Sequence, residues 1–537
     1  MWKRTVGLFS VLMLCFVVLI FGIYTLSTGE WLKEAAMSQS VYKLRAAQYR
    51  GTIYDTKLNP LTDREKTAVA AVNPTMEAAN ALSKVIPAEE KESVYTLLSA
   101  GKPFLLELPT FDINCPDIDV FSRPRRYTED QLLTHVIGYL DGEGHGVAGI
   151  EKAYDELLSS TGAQASVTYQ VNATGRVLAG EDKLVDDTSY LKTRGVVLTI
   201  DERIQKIAED AAKEHLDKGA VIVAEVGTGK MRAVVSAPDF SQNNVAAVLS
   251  DPSAPLINRA FSSYNVGSVF KLVAATVALE SGVDTKSQYN CTGSIEVDGS
   301  SFSCYGGVAH HKVNMKEAIA HSCNTYFVQL AQQLPTDKLY ALAQSLGFGK
   351  ETKLAPSLVS DAGIMPKEKE LQNKRTLANF SFGQGELLAT PLQIACLINS
   401  IASGGEYHEA SLVEGIVDEG LNYTEKAKET AAVRVMSKST ADTLKKAMIS
   451  SVEYGTSKQG KPKYLTAAAK TATAETGIQS GDHLVEQSWF AGMYPAENPR
   501  YVVVVLAEDG EGGGASGGPV FKEICEQLYE KLPGLLQ

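Results

Sequence analysis

One stretch of the sequence, from Gly267 to Gly282, is apolar on nearly every side of a helix but carries a lysine near its start. Gly267 and Ser268 can begin a helix, and Gly282 is a residue that commonly ends one. A helix that is apolar all round belongs in a core, so Lys271 is predicted to be buried, where a lone amine tends to lose its proton. Ser268 lies three positions before Lys271, on the same face of the helix. A hydroxyl beside a desolvated amine is one way in which a serine becomes a nucleophile.

The Ser-x-x-Lys spacing by itself is weakly informative, because it occurs at three other places in the chain. Those pairs lie in polar or amphipathic surroundings, where an exposed lysine is the natural interpretation: Ser40 and Lys43, Ser99 and Lys102, and Ser189 and Lys192. Only Ser268 and Lys271 begin a wholly apolar helix. The alternative for this pair is a structural lysine that extends its amine to solvent.

An uncharged run of 21 residues, Val6–Leu26, follows Lys3 and Arg4. Because a helix of about 20 apolar residues crosses a bilayer, this run predicts a single-pass membrane anchor. The two basic residues place the N-terminus in the cytoplasm. The alternative is a signal peptide cleaved near residue 28, although the apolar core of a signal is usually shorter, roughly 7–15 residues. In either case the bulk of the chain is expected on the extracellular side of the cell membrane.

Composition narrows the possible functions. The net charge of −12 and the pI of about 5.3 argue against a nucleic-acid-binding surface. Of the seven cysteines, all but Cys15 are expected in an oxidising space. Their spacing is not that of a metal site and no Cys-x-x-Cys occurs, so we expect no metal ion and no cofactor. Cys291, Cys304 and Cys323 are close enough in sequence for a disulfide, but the sequence does not choose the pair.

The 537 residues are enough for two or more domains. We divide the chain into residues 1–30, a cytoplasmic tip and membrane anchor, residues 31–194, an N-terminal pedestal domain of mixed structure, and residues 195–537, the domain with the Ser268 helix. The pedestal domain pairs no nucleophile with a base, so we interpret it as a spacer that lifts the next domain off the membrane.

Local signals predict several elements along the chain. A strand is expected over His135–Leu140, and Asp201 is expected to cap a helix that ends near His215. Ala220–Val226 and Met231–Ser236 flank Gly-Thr-Gly-Lys, which lacks residues that a phosphate-binding loop needs, so we predict a β-hairpin. Three strands and a final helix follow: Leu465–Thr473, Ser488–Tyr494, Tyr501–Ala507 and Val520–Leu532.

Two further motifs follow the Ser268 helix. Ser322-Cys323-Asn324 lies between two predicted helices, and Lys470-Thr471-Ala472-Thr473 lies in an apolar strand. The order Ser-x-x-Lys, Ser-x-Asn and Lys-Thr-x-Thr resembles that of the penicillin-recognising serine transpeptidases and β-lactamases. Each motif alone is common, but the ordered trio in these structural settings is a strong indication.

Other motifs resemble the class B penicillin-binding proteins: Arg50-Gly51 with Asp55, His135–Tyr139, Gly149–Glu151 with Tyr154-Asp155, Gly383–Gly385, Thr390–Gln393 and Trp489–Gly492. The resemblance implies a membrane-anchored peptidoglycan D,D-transpeptidase that crosslinks stem peptides ending in D-Ala-D-Ala and that β-lactams acylate. It implies an α/β (α+β) fold with an antiparallel sheet flanked by helices and a helical subdomain, preceded by a transmembrane helix and an elongated pedestal. It also implies a polytopic membrane glycosyltransferase as a partner.

The resemblance implies roles for the site residues as well. Ser268 would attack the carbonyl between two D-alanines while neutral Lys271 takes its proton. Ser322 would relay that proton to the departing D-alanine, and Asn324 would hold the substrate's amide.

The Lys470 strand would complete the site. Lys470 would add positive charge that keeps Lys271 neutral and attracts the substrate carboxylate. Thr471 and Thr473 are expected to bind substrate, and the backbone N–H groups of Ser268 and Thr473 would form the oxyanion hole.

Ala472 is the main departure from the family, which usually has Lys-Thr-Gly. By the two-residue period of a strand, its methyl is expected on the same side as Lys470, toward the cleft. This departure supports a second hypothesis, a catalytically weak or inactive scaffold of a wall-building complex. A third hypothesis, a β-lactamase, requires a water-activating Glu-x-x-Leu-Asn, and the nearest segment, Glu419–Asn422, is one residue short.

Overall fold

A computed structural model describes residues 2–28, 40–160, 162–178, 180–189, 193–480 and 483–537. These residues form two compact units, each made of several chain segments. The first unit takes in Met1–Arg50, Asp63–Arg126 and Thr161–Thr193, and the second takes in Gly51–Thr62, Tyr127–Ser160 and Arg194–Gln537. The predicted boundary between residues 30 and 31, and Lys192 of the weaker Ser-x-x-Lys pairs, lie outside the described residues.

The first described element is a helix of 27 residues, Trp2–Thr28. None of its residues is buried, and at about 1.5 Å per residue it is about 40 Å long. Within the described part of the chain it is the one helix long and apolar enough to cross a membrane. These properties are those of a single-pass membrane anchor, as the sequence predicted.

The first unit contains two antiparallel three-stranded sheets. In spatial order, their strands are Val41–Gln48, Gln164–Gln170 and Leu184–Asp187 in one sheet, and Phe104–Leu108, Glu65–Val72 and Ile118–Arg125 in the other. The helices Met76–Leu82 and Lys91–Ala100 accompany them. Apolar side chains of both sheets share one core, among them Val69, Phe121 and Val167.

A five-stranded antiparallel sheet lies at the centre of the second unit. In spatial order its strands are Met231–Ala237, Gly219–Glu225, Tyr501–Glu508, His483–Tyr494 and Ala468–Ser480. Side chains of the central strand alternate between two cores, with Val503 and Val505 in one and Val504 and Leu506 in the other. Because both faces are buried, this strand is a continuous apolar run in the sequence.

Helices cover both faces of this sheet. Glu202–His215 and Gly513–Lys531 pack on one face, and Pro391–Ala402 packs on the other. A group of helices beside the sheet forms the helical subdomain: Lys271–Glu280, Met315–Ala320, Asn324–Ala331, Thr336–Ser345 and Lys374–Ser381. The other α-helices in the described part of this unit are Thr134–Ile137, Gly149–Ala153, Asp155–Ser159 and Lys438–Glu453.

Smaller sheets complete the second unit. One has four strands, in the spatial order Ile53–Tyr54, Gly195–Leu198, Val413–Val417 and Tyr423–Lys426. The two-stranded pairs are Tyr264–Asn265 with Leu388–Ala389, Tyr289–Cys291 with His311–Val313, Ser294–Val297 with Ser300–Ser303, Thr352–Ala355 with Leu358–Ser360, and Glu406–Tyr407 with Val433–Arg434.

Several local predictions are confirmed. The Asp201 carboxylate accepts a hydrogen bond from the Arg203 N–H and so caps the helix Glu202–His215. The predicted hairpin forms from Gly219–Glu225 and Met231–Ala237. Gly282, with φ +82°, follows the Ser268 helix as expected.

Two predictions are wrong. Residues His135–Leu140 are not a strand, because Thr134–Ile137 forms a helical turn and Gly138 has φ +81°. A Cβ at Gly138 would lie 1.9 Å from the Ala148 carbonyl oxygen, so this glycine permits a close backbone contact that a strand pattern cannot show. The predicted last helix is present, but its start is wrong: it begins at Gly513 rather than Val520. The sequence missed this start because the first turns contain glycines, which local propensity disfavours in a helix.

Two segments of the predicted pedestal, residues 51–62 and 127–160, belong to the second compact unit. Ile53–Tyr54 pairs in parallel with Val196 and Val197. The buried Asp55 carboxylate accepts hydrogen bonds from the Lys57 N–H at 2.8 Å and the Glu202 N–H at 3.3 Å. These family motifs therefore support the unit that carries the candidate site.

Candidate active site

An open cleft of about 1430 Å³ in the second unit brings the sequence motifs together. Its lining includes Ser268, Ser322, Asn324, Thr471, Ala472 and Thr473. The other two predicted site residues, Lys271 and Lys470, are fully buried, and both contact Ser322. Side chains far apart in the sequence thus meet at one place.

Ser268 lies in a 3₁₀ turn, Gly267–Phe270, that leads into the helix Lys271–Glu280. The Gly267 N–H donates to the Gly383 carbonyl oxygen at 2.8 Å. Gly383 has φ +82°, and a Cβ there would lie 2.0 Å from the Gly267 oxygen, so only glycine fits. The Ser268 hydroxyl lines the cleft and makes no hydrogen bond to the described residues, as is common before a substrate binds.

Two other family motifs hold the segment before this turn. The Trp489 indole N–H donates to the Asn265 carbonyl oxygen at 2.7 Å. The strand Leu388–Ala389 pairs with Tyr264–Asn265, and Thr390 directly after it caps the next helix. These contacts fix the backbone that leads to Ser268.

Lys271 is the first residue of the α-helix and is 0% exposed. Its Nζ donates to the Ser322 carbonyl oxygen at 2.7 Å and to Asn324 Oδ1 at 2.6 Å, and it lies 3.1 Å from Ser322 Oγ. Burial lowers the pKa of Lys271 to about 7, although nearby thiol charges of Cys304 and Cys323 oppose the shift. A neutral amine has two N–H groups, which these two oxygens accept, and its lone pair remains for the Ser322 hydroxyl.

Lys470 is also 0% exposed, and its Nζ donates to Ser322 Oγ at 2.9 Å and to the Thr471 carbonyl oxygen at 2.7 Å. Burial and the neighbouring charge of Lys271 keep the pKa of Lys470 well below its usual range. The role predicted for Lys470, a positive charge that keeps Lys271 neutral and attracts the substrate carboxylate, stays a prediction, and the structure shows its amine enclosed and directed at Ser322. Since Ser322 Oγ accepts from Lys470, its own proton is available to Lys271.

The remaining predicted residues have internal partners. Asn324 Nδ2 donates to the Ser303 carbonyl oxygen at 2.7 Å, which leaves its second N–H group for a substrate. The Thr471 hydroxyl donates to Thr456 Oγ1 at 2.7 Å. Thr473 Oγ1 accepts from the Gly513 N–H at 3.3 Å, which ties the strand to the first turn of the last helix. Sequence patterns gave no sign of Ser303 or Thr456.

Ala472 lines the cleft but is only 3% exposed. A Cβ at Gly267 would lie 3.2 Å from the Ala472 methyl, so this methyl packs beside the nucleophile turn. The Ala472 methyl was expected to face the cleft. It reaches the cleft with only a small part of its surface, and the rest is covered by protein atoms.

Three cysteines and a histidine converge beside the Ser-x-Asn motif, and we name Cys291, Cys304, His310 and Cys323 the Cys–His cluster. Their donor atoms all lie within 4.8 Å of one another. All seven cysteines of the chain, which all lie in the described residues, carry free thiols, so the disulfide considered from the sequence is not formed. The linear spacing gave no sign of this convergence, because the four residues come from separate loops and element ends.

A serine that lines a cleft together with a second serine, which two buried lysine amines share, defines a serine acyltransferase of the penicillin-recognising class. Residues 219–526 match the penicillin binding protein transpeptidase domain. The chain therefore belongs to the penicillin-binding protein transpeptidase family, as the motifs indicated.

Relatives agree with this membership. The chain is 31% identical over 424 residues to the peptidoglycan D,D-transpeptidase PbpA of Mycolicibacterium smegmatis, which covers 74% of this chain and 82% of the relative. The D,D-transpeptidase domain of a peptidoglycan glycosyltransferase from Eggerthella lenta superposes with a TM-score of 0.64 at 25% identity, over 89% of this chain and 98% of that one. A chain of a peptidoglycan synthase complex that coordinates polymerization and crosslinking superposes with a TM-score of 0.67 at 24% identity, over 97% of both chains. The predicted sheet flanked by helices, with its helical subdomain, is thus confirmed.

Proposed function

We propose that this protein is a membrane-anchored peptidoglycan D,D-transpeptidase that crosslinks stem peptides through an acyl-enzyme on Ser268 and that β-lactams acylate at the same residue. The observation that carries the proposal is the meeting of two fully buried lysine amines at the Ser322 hydroxyl, in the cleft that Ser268 lines. The shared family and the names of the relatives support it.

The reaction starts at Ser268. Its oxygen attacks the carbonyl carbon between two D-alanines, and its proton goes to the neutral amine of Lys271, a placed base that contributes roughly 10²–10⁴ in rate. Ser322 passes a proton to the nitrogen of the leaving D-alanine, because its hydroxyl lies between the amines of Lys271 and Lys470. The amine of a neighbouring stem peptide then attacks the ester and releases Ser268.

The strand Ala468–Ser480 supplies the substrate contacts. The backbone N–H groups of Thr473 and Ser268 stabilise the oxyanion, and one such donor contributes roughly 10²–10³ in rate. The hydroxyls of Thr471 and Thr473 line the cleft, where they receive the terminal carboxylate, and the free N–H of Asn324 holds the substrate's amide.

Mass spectrometry of the full chain labelled with penicillin tests this proposal. We expect a single adduct on Ser268, with none in Ser268→Ala. Ser99→Ala is the matched control, because Ser99 also precedes a lysine by three positions but lies exposed on another helix. An adduct on Ser99 or Ser322, or an adduct that survives in Ser268→Ala, would show that the nucleophile is wrong.

A second experiment separates the transpeptidase from the two alternatives. A synthetic stem peptide with a D-amino acid acceptor should give an exchanged product, and the β-lactam adduct should hydrolyse slowly. Fast hydrolysis would indicate a β-lactamase. The structure gives that alternative little support, because Glu419–Asn422 belongs to an exposed turn and is absent from the described lining of the cleft. Failure to acylate at all would indicate the scaffold, for which Ala472 is the only sequence support.

The anchor sets the location. With Lys3 and Arg4 on the cytoplasmic side, Trp2–Thr28 crosses the membrane once and the remainder is extracellular. Protease added to spheroplasts should digest the extracellular part. Complete protection of that part would contradict the proposed orientation. The division at residues 30/31 and 194/195 stays a functional proposal, because residues 51–62 and 127–160 of the proposed pedestal belong to the compact unit of Ser268.

A polytopic membrane glycosyltransferase is the partner that fits this location, in line with the synthase complex whose chain shares the fold. Such an enzyme, coexpressed with the full chain, should copurify with it in detergent. A variant whose anchor is replaced by an unrelated spanning helix reports how much of the binding the anchor contributes, and no copurification with the natural chain would count against this partner.

A further inference from the structure

The Cys–His cluster has no part in the proposed reaction, yet it is built of buried groups. Cys291, Cys304 and Cys323 are 1%, 3% and 0% exposed, and His310 is half-buried beside them. Cys291 ends a strand, Cys304 follows a hairpin, and Cys323 precedes the helix Asn324–Ala331. Three buried thiols and an imidazole this close together form a set of side chains that can bind a metal ion.

Three distances within the cluster match the edges of a tetrahedral metal site, and all four donor atoms lie within 4.8 Å of one another. With Zn–S bonds of about 2.3 Å and Zn–N bonds of about 2.05 Å, a tetrahedron has S···S edges of about 3.8 Å and S···N edges of about 3.6 Å. The Cys291–Cys304 and Cys304–Cys323 Sγ atoms lie 3.7 and 3.8 Å apart, and Cys291 Sγ lies 3.5 Å from His310 Nδ1. A disulfide would need an S–S distance of about 2.05 Å, so the cluster is spaced for a shared ion and not for a bond.

We propose that the Cys–His cluster binds one structural zinc ion through three cysteine thiolates and Nδ1 of His310. Three thiolates and an imidazole are soft and borderline ligands, which select zinc over magnesium or calcium. Four protein ligands fill a tetrahedral site, so this ion has a structural role and leaves no open position for a substrate.

Hydrogen bonds around the cluster suit thiolate ligands. The His310 backbone N–H donates to Cys291 Sγ at 3.3 Å, and the Thr325 hydroxyl lies 3.4 Å from Cys323 Sγ. Such outer contacts orient metal ligands and stabilise their charge. Bound zinc would also keep these thiols from oxidation in an extracellular space.

The ion would position the Ser-x-Asn motif, and this part of the inference rests on the proposed function. Cys323 lies between Ser322 and Asn324, which both contact Lys271. Asn324 also donates to the carbonyl oxygen of Ser303, the neighbour of Cys304. Ser322 has φ +58°, a conformation that a non-glycine residue keeps only when its surroundings impose it. A zinc ion that joins Cys304 to Cys323 would impose it.

Metal content of the full chain, purified in detergent without added metal or chelator, tests the site directly. We expect about one zinc ion per chain, and less than half of that in Cys291→Ser and in His310→Ala. Cys396→Ser is the matched control, since Cys396 is a buried cysteine of the same unit outside the cluster, and it should keep its zinc. A wild-type chain that holds no zinc, even after incubation with it, would overturn the proposal.

Cobalt substitution covers the case in which the variants fail to fold. Wild-type protein stripped with a chelator and refilled with Co²⁺ should show thiolate-to-cobalt charge-transfer absorption and the visible bands of a tetrahedral site. Absence of these bands in folded, refilled protein would overturn a cysteine-rich tetrahedral site.

Acylation tests the positioning role. Removal of zinc should slow acylation by fluorescent penicillin by about tenfold or more, with far-ultraviolet circular dichroism unchanged, and Zn²⁺ but not Mg²⁺ should restore the rate. An unchanged rate would refute the positioning role. If zinc-loaded wild type is not acylated at Ser268 at all, the proposed function fails, while the metal content still reports on the site.

Discussion

The pH dependence of acylation is the sharpest test of Lys271 as the base. Burial lowers the pKa of Lys271 to about 7, whereas an ordinary lysine titrates near 10.5. Only the neutral amine accepts the Ser268 proton, so the rate follows the deprotonated fraction. With a pKa of about 7 that fraction is about 0.1 at pH 6 and about 0.9 at pH 8, which predicts a rise of about tenfold.

The measurement is the second-order rate constant for fluorescent penicillin on the full chain, taken between about pH 6 and pH 9. Lys271→Arg should lose about 10²–10⁴ in rate and show no such rise, because a guanidinium stays charged throughout. Lys206→Arg is the matched control, since Lys206 lies exposed on the helix Glu202–His215 and should keep both rate and profile. A midpoint near pH 10 in wild type, or an unchanged profile in Lys271→Arg, would refute this role.

Three further predictions concern the close packing at Gly383, the alanine at position 472 and the buried carboxyl group of Glu209. Gly383→Ala should slow acylation and lower the free energy of unfolding by about 2 kcal/mol or more, because its Cβ would overlap the Gly267 oxygen. Gly404→Ala, with φ +74° but only an ordinary contact at 3.7 Å with the Lys438 side chain, should lower it by only about 1 kcal/mol, and equal losses would contradict this. Ala472→Gly should change acylation by about threefold or less, since the methyl is nearly buried, and a gain well above tenfold would favour the scaffold hypothesis. Burial raises the pKa of Glu209 from 4.5 to about 7, so on raising the pH the unfolded chain loses this proton before the folded chain does. The free energy of unfolding therefore falls between about pH 4.5 and pH 7 by up to about 3 kcal/mol. Glu209→Gln should weaken that fall when stability is measured by calorimetry, and an identical pH dependence in the variant would contradict this.

Predictions from the sequence succeeded where neighbours along the chain decide the structure. The apolar surroundings of Lys271 predicted its burial, because a helix without a polar face is stable only when it is buried in the core. Asp201 predicted a helix start, because a cap is a contact between residues two or three positions apart. The order of three motifs indicated the family, which the match over residues 219–526 shows.

Other features depended on contacts between distant segments. His135–Leu140 has a strand-like pattern, but close packing of Gly138 against Ala148 imposes a helical turn. Lys470 reads as a positive charge for the cleft, yet the fold encloses its amine at Ser322 and lowers its pKa.

The sequence by itself determined that Lys271 is buried three positions after Ser268 and that the chain begins with a long apolar helix, because each depends on a local pattern of polarity. Only the tertiary structure decided that two lysines share the Ser322 hydroxyl and that three cysteines gather around His310. The physical reason is that a pKa and a metal site depend on distances of a few ångströms between groups far apart in the chain, and those distances are set by how the sheet, helices and loops pack.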